Sequence, residues 1–404
     1  MQDVPAVVEC GRLGKVRLKE KKLMPARHPF LAIIASLLLS SAALCQSRPP
    51  VAPLPNDPLE LATGPTKVLD TPQLRALVLG LLEQARQNNG MHTAGSAAFD
   101  LKVSFNSSGQ NRYAGPGDLE ETWITGRTWR WTAHLADYSI NRIFYRGFAF
   151  DEKSSGPVPL RLQMVRAAVF WPVSGNFAPA YLRVATTKWD GADVMCILRS
   201  RGPADTEDAE EDAEDAKSAD NSGRRWGERE YCIDPKTGLL RTYSEAPGVY
   251  TVYDYNDVTI HFHGRSLARQ ITVVEGGTTV LQIHLDSIED PHVTDPNFFT
   301  PTSQMLAGGP QPMMSGVLRF SQFASAAGRA GVIQPVVVIA TINKKGKVEE
   351  AETPQSSDPT LSEAALSLVK HSRYARWESK SAPTQRLAYI NVKFVPEKAE
   401  TTLR

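Results

Sequence analysis

Two short stretches constrain this chain more than any other feature: FDLKVSF at 99–105 and TWRWTAHL at 128–135. In the first, Phe99, Leu101, Val103 and Phe105 fall on one side; in the second, Trp129, Trp131, Ala133 and Leu135 oppose Arg130, Thr132 and His134. Period-two alternation sends apolar side chains to one face of a strand and polar ones to the other, so both segments read as half-exposed antiparallel strands. Further strands are expected at about 138–145, 182–189, 194–199, 230–233, 239–244, 250–255, 266–274 and 279–287. Asp190-Gly191, Lys236-Thr237-Gly238 and Glu275-Gly276-Gly277 supply turns between them, because Gly and Asp tolerate the positive φ that tight hairpins need.

Ahead of the strands, Thr71-Pro72 has the form of a helix start, with Thr at the N-cap and Pro at the first helical position. Leu74, Leu77, Val78, Leu81, Leu82 and Ala85 then recur at helical spacing, so one face must be buried. Ten or so strands after one amphipathic helix predict an α+β fold in which a large curved antiparallel sheet wraps that helix. Residues 160–170 read as a short second helix. Phe99, Leu101, Val103, Trp129 and Trp131 cover the inner face, either as plain core or as the lining of an apolar ligand cavity.

With 404 residues, 42% hydrophobic and 22% charged, the composition is that of a globular chain of two or three domains. A formal net charge of +1 supplies no overall attraction to nucleic acid, which is not expected as a partner.

The N-terminus carries an address. Lys15, Arg17, Lys19, Lys21, Lys22 and Arg27 precede the run FLAIIASLLLSSAALC at 30–45, in the order of a secretory signal peptide. The run is shorter than the roughly 20 residues that cross a bilayer core. Cleavage before Gln46 is expected, and Met24 is an alternative start. An uncleaved inner-membrane anchor at 30–45 stays open, as does a lipoprotein reading of Cys45, although Leu44 is bulky where a lipobox has a small residue. The chain is therefore expected in the periplasm or secreted. Export leaves Cys196 and Cys232 in an oxidising compartment, which predicts a disulfide between them.

Residues 46–69, rich in Pro and Asp, read as a tether. Between two strands the segment 202–225 holds nine carboxylates from Asp205 to Asp220 and little that is apolar, so a disordered hairpin tip is expected there. Its flanking strands carry Cys196 and Cys232, which places the disulfide across that loop.

The patterns EYCIDPKTGLLRTYSE, VYTVYDYNDVTI, RQITVVEGGTTVLQIHLDSIE and DPNFF resemble the strands of the LolA/LolB-like outer-membrane lipoprotein-sorting fold, over about 71–301. The resemblance implies an open half-barrel with a helical lid, holding the acyl chains of lipids or lipoproteins. The acidic segment and the disulfide depart from it.

A Pro/Gly/Ser linker is expected over 302–331. Beyond it VVVIATI reads as a strand, Asn343-Lys344-Lys345-Gly346 as a turn, KVEEAE as a second strand, Thr360-Leu361-Ser362-Glu363 as a capping box, and RLAYINVKFV as a last strand. This ββαβ unit at 332–396, before a short tail at 397–404, resembles the TonB C-terminal domain. The resemblance is carried by Gly346-Lys347-Val348, Ser356-Ser357, Ser362-Glu363-Ala364-Ala365-Leu366 and the strand from Tyr389 to Phe394. It implies that an edge strand presenting Tyr389, Asn391 and Lys393 accepts an extended peptide of an outer-membrane TonB-dependent transporter or another envelope protein. The apolar segment lacks the inward Ser and His of an energy transducer, and no long Pro-rich spacer follows it.

No P-loop, GxSxG, HExxH or CxxC is present. His261 and His263, with His284 near by, read as a solvent-facing strand rather than a metal site, and Ser367-Leu368-Val369-Lys370 as helix core. Neither metal nor cofactor is expected. The expectation is a non-enzymatic envelope adaptor with a TonB-like docking edge; the alternative is a periplasmic carrier of lipid or lipoprotein acyl chains.

Overall fold

The computed structural model describes residues 66–396 apart from 94, 109–113, 176, 190, 201–223, 225–227, 247, 256–258, 277, 312–316, 327–335, 354–358 and 378–383. The segments read as signal peptide and tail, most of the expected tether and the acidic run from Asp205 to Asp220 lie outside the described residues. Among those described, no helix is long and apolar enough to cross a membrane.

A two-residue strand β1 (Lys67–Val68) precedes helix α1 (Pro72–Asn89), whose first turn is capped by the Thr71 hydroxyl accepting from the Leu74 amide at 3.2 Å. Five strands follow: β2 (Phe99–Ser107), β3 (Gly115–Thr125), β4 (Thr128–Leu135), β5 (Tyr138–Tyr145) and β6 (Phe148–Lys153). Helix α2 (Leu160–Phe170) then leads into β7 (Leu182–Trp189), β8 (Ala192–Arg199), β9 (Arg229–Ile233), β10 (Leu240–Ala246) and β11 (Val249–Asp254). A small hairpin of β12 (Ile260–Phe262) and β13 (Arg265–Leu267) stands apart, and β14 (Gln270–Glu275) and β15 (Thr278–Glu289) complete the sheet.

The thirteen strands run in the order β1-β7-β8-β9-β10-β11-β14-β15-β2-β3-β4-β5-β6, antiparallel throughout. Two meanders, β7 to β15 with the β12–β13 hairpin left out and β2 to β6, are joined where β15 lies against β2, and β1 pairs with β7 at the edge. The expected large antiparallel sheet is present, and α1 buries Val78, Leu81, Leu82 and Ala85 on it. Leu77, read as part of that buried face, is instead exposed, because the face on the sheet is narrower than the apolar stripe. Strand β1 corrects the end of the tether: Lys67 and Val68 pair with Val184 and Arg183.

Cys196 and Cys232 face each other across β8 and β9 and form the expected disulfide, with 3.9 Å between Cα atoms.

Helix α2 has the predicted extent but a larger part than predicted. It is buried on every side, including Arg161, Gln163 and Arg166. A helix enclosed all round needs partners for each polar group it carries.

The segment 302–331, expected as linker, holds a short helix α3 (Ser303–Gly308) and strand β16 (Val317–Ala326). Then come β17 (Val336–Asn343), β18 (Val348–Glu352), helix α4 (Pro359–His371) and β19 (Gln385–Pro396), the anticipated order of strand, strand, helix, strand. Helix α4 begins at Pro359, so Thr360 lies in its first turn rather than at the N-cap. The sheet order is β16-β19-β17-β18, four strands instead of three, with β16 parallel to β19.

The uninterrupted apolar run of β17 has a tertiary cause. Val338, Ala340 and Ile342 pack with Ala365 and Val369 of α4, while Val337 and Ile339 join the core of the large sheet. A strand covered on both faces is apolar on both, and its one buried hydroxyl, Thr341, is bonded to Gln163 of α2 at 3.1 Å.

Candidate functional site

The five residues expected to line an apolar cavity, Phe99, Leu101, Val103, Trp129 and Trp131, all lie on the inner face of the large sheet and are buried. They share one cluster with Leu82 and Val78 of α1 and with Leu162 and Val165 of α2, so the two helices cover the floor that the strands provide.

One line across that floor is not apolar. Leu101, Glu121, Trp131, Arg142 and Asp151 are successive register partners on β2, β3, β4, β5 and β6. The alternation that points Leu119 and Trp123 inward also points Glu121 inward, and on β5 it does the same for Arg142 between Ile140 and Phe144. Arg142 forms a two-pronged contact with Asp151, both bonds 2.6 Å.

Helix α2 brings a second guanidinium down onto this line. Arg166 donates to Glu121 at 3.1 Å, and its guanidinium carbon lies 3.9 Å from the Trp131 ring centre and 4.9 Å from that of Phe170. A cation over an aromatic face is attracted by the ring quadrupole, more so where water is excluded. On the other side of the carboxylate, His92 Nε2 lies 2.5 Å from Glu121 Oε1. Its ring is stacked on Phe170 at 4.7 Å and meets the edge of Trp171 at 5.1 Å. Burial pushes the Glu121 carboxyl up, but the neighbouring His92 and Arg166 charges and their hydrogen bonds outweigh it and hold the group below its usual range.

Trp171 is 42% exposed and forms the rim, so the cluster runs from solvent at Trp171 through His92 to the buried carboxylate. What this arrangement does is hold a helix to a sheet through charge.

None of these charged residues was singled out in the sequence. The signal was present in LEETW, where Glu121 occupies an inward place between Leu119 and Trp123, but the Gly-Pro-Gly that opens β3 hid the strand.

The docking residues require a correction. Tyr389, Asn391 and Lys393 do not sit on an edge: β19 is paired with β17 on one side and with β16 on the other over ten residues, from Val317 opposite Leu387 to Ala326 opposite Pro396. Tyr389 and Asn391 are buried as well. The chain itself occupies the position that an incoming peptide would take. The sequence VLRFSQFASA, placed in the linker, was the missed signal.

The histidines do not converge. His263 is bonded to Asp290 at 2.7 Å, His284 to Asp286 at 2.8 Å, and His261 lies 3.4 Å from Ser266. Among the described residues one group has the spacing of a metal site, Cys196, Glu230 and Cys232, and both sulfurs there are spent on the disulfide.

No protein-family model matches the chain, and no curated protein matches it by sequence. Among solved structures it is similar to a putative outer membrane lipoprotein-sorting protein domain from Vibrio parahaemolyticus, 10% identical over 54% of this chain and 95% of that one, with a TM-score of 0.31. It is also similar to the LolA superfamily protein NE2245 from Nitrosomonas europaea, 9% identical over 55% of this chain and 96% of that one, with a TM-score of 0.33. A third likeness is to LprF from Mycobacterium bovis, 9% identical over 57% and 98%, with a TM-score of 0.21.

Proposed function

We propose that this chain is a non-enzymatic carrier of the cell envelope, taking the acyl chain of a lipid or lipoprotein between the inner face of the large sheet and helices α1 and α2. The observation that carries this reading is the way α2 is attached. It lies on an aromatic and aliphatic floor, yet charged contacts fix it there: Arg166 to Glu121, and Arg161 to Glu275 on β14.

Buried ion pairs give up hydration on closing, and that cost offsets much of their attraction. When α2 lifts, Glu121, Arg166 and Arg161 regain water, so opening costs less than stripping an all-apolar helix of the same length from the sheet. Apart from the line of Glu121, Arg142 and Asp151, the floor left behind is aromatic and aliphatic, and an acyl chain can cover that part of it. A cover that is cheap to lift over a floor that must stay dry is what a carrier needs. The adaptor reading needs a free strand edge at Tyr389, Asn391 and Lys393, and β16 lies along it.

The test is direct. The exported protein is purified, its N-terminus and any bound lipid are identified by mass spectrometry, and the delipidated protein is titrated with cis-parinaric acid while tryptophan emission is followed. Saturable binding with quenching of the Trp129, Trp131 and Trp171 region is the expected result. Absence of both bound lipid and saturable binding rejects the reading.

A further inference from the structure

Helix α2 starts without a cap of its own. Pro159, at the N-cap, has no side chain that accepts a hydrogen bond, so the amides at the start of the helix must find acceptors elsewhere. They find them on the terminal sheet. The Leu160 amide donates to Glu350 Oε2 of β18 at 2.9 Å, and the Val158 amide to Gln385 Oε1 of β19 at 2.8 Å. Gln163 Nε2 donates to Thr341 Oγ1 of β17 at 3.1 Å. Arg161 spans the boundary, 2.6 Å from Glu275 of the large sheet and 2.7 Å from Glu352 of β18.

Three strands of the terminal unit thus aim polar side chains at the six residues from Val158 to Gln163, across sequence separations of 178 to 227. Apolar packing of Val337, Ile339 and Tyr389 on the main core is non-directional and tolerates sliding. These directed contacts do not, because each leaves a buried polar group orphaned if the unit shifts.

We propose that the terminal unit is a latch on α2, supplying the N-cap of the helix in trans, so that its withdrawal loosens the N-terminal end of the helix and leaves Arg161 on Glu275 as the charged contact holding that end to the large sheet. The other end stays tethered by Arg166 on Glu121, which makes α2 a hinged cover. The carboxylates suit the task, since negative charge at a helix N-terminus is favoured by the aligned peptide dipoles. They are also in surplus: Glu275, Glu350 and Glu352 share Arg161. Burial is the largest cause that pushes the Glu350 carboxyl up, with the Glu352 charge adding to it, while the Leu160 amide and Arg161 oppose it. What release exposes is the floor on which the carrier reading rests; the latch can fail or hold without it.

Hydrogen exchange on the full mature chain tests the latch. Glu350→Ala removes the acceptor, while Glu350→Gln keeps an acceptor oxygen and drops the charge. Exchange of the α2 amides from Gln163 to Phe170 is expected to rise roughly fivefold or more in the Ala variant, the scale of a lost cap, with the Gln variant close to wild type and α1 and β17 unchanged. Wild-type exchange in Glu350→Ala, or an equal rise in both variants, overturns the proposal. If Glu350→Ala does not fold, Thr341→Val is used, which removes only the hydroxyl that receives Gln163; a smaller rise confined to α2 supports the latch and an unchanged rate refutes it. Release of cis-parinaric acid, measured alongside, is expected to speed up with α2 exchange. Failure of the wild type to bind that probe rejects the carrier reading and leaves the exchange data to judge the latch.

Discussion

Arg166 of α2 donates to Glu121 of β3 at 3.1 Å, tying a helix enclosed on all sides to the floor of the sheet. Each group is buried, so removing either strands a charge in an apolar place. Glu121→Ala or Arg166→Ala is expected to cost about 3–5 kcal/mol in urea unfolding, whereas the double replacement by Leu and Met costs far less than the sum. Additive losses would show that the two side chains do not depend on each other.

The two ends of α2 are expected to answer acid in opposite ways. Glu121 is held below its ordinary value of 4.5 by His92 and Arg166 against burial, so its contribution is present above that value and is lost as pH falls through the folded pKa. Glu275 and Glu350 are pushed above 4.5, in both cases chiefly by burial, so their folded forms favour the proton; the stability they withhold at neutral pH returns as pH falls toward 4.5. Denaturant midpoints measured from neutral pH downward should therefore rise and then fall. Glu350→Gln should flatten the rise and Glu121→Gln the fall, and profiles identical to wild type would remove these groups from the account.

Reduction of Cys196–Cys232, a sequence separation of 36, is expected to lower stability by roughly 3–4 kcal/mol in the chain-entropy model. The Cys196→Ala/Cys232→Ala double variant should match the reduced wild type and ignore reductant. Equal midpoints with and without reductant in the wild type would contradict this.

Gly346 closes the turn between β17 and β18 at φ 73°, with its amide donating to the Asn343 carbonyl at 2.8 Å. A Cβ there would collide with the carbonyl oxygen of Tyr374. Gly346→Ala is expected to destabilise the terminal unit by at least about 1 kcal/mol, seen as faster exchange in β17 and α4 while β2 to β4 stay protected. Slower or unchanged exchange there would mean that the turn relaxes freely.

Much of this molecule was written locally. FDLKVSF and TWRWTAHL became β2 and β4 with the expected inner faces, Thr71 and Pro72 opened α1, and α2 occupied the span read for it. Cys196 and Cys232 paired because their strands are neighbours in sequence and in the sheet. These features depend on side-chain periodicity and backbone preference over a few residues, which a sequence displays directly.

Other features were decided by partners far away along the chain. Glu121 belongs to a strand that the sequence reading did not expect and Arg142 to one that it treats as ordinary, and they became a charged line only when α2 lowered Arg166 between them. Tyr389, Asn391 and Lys393 were read as an edge, and β16 covered it. Glu350 looked like one acidic residue of a polar strand until it capped a helix 190 residues earlier. Local pattern specifies which face of an element is apolar, whereas the closure of the sheets and the packing of the terminal unit choose which inward polar group meets which. That choice is made by the geometry of the whole core, so the sequence alone determined many of the elements and the disulfide, and only the tertiary structure decided what holds α2 and where β3 and β16 lie.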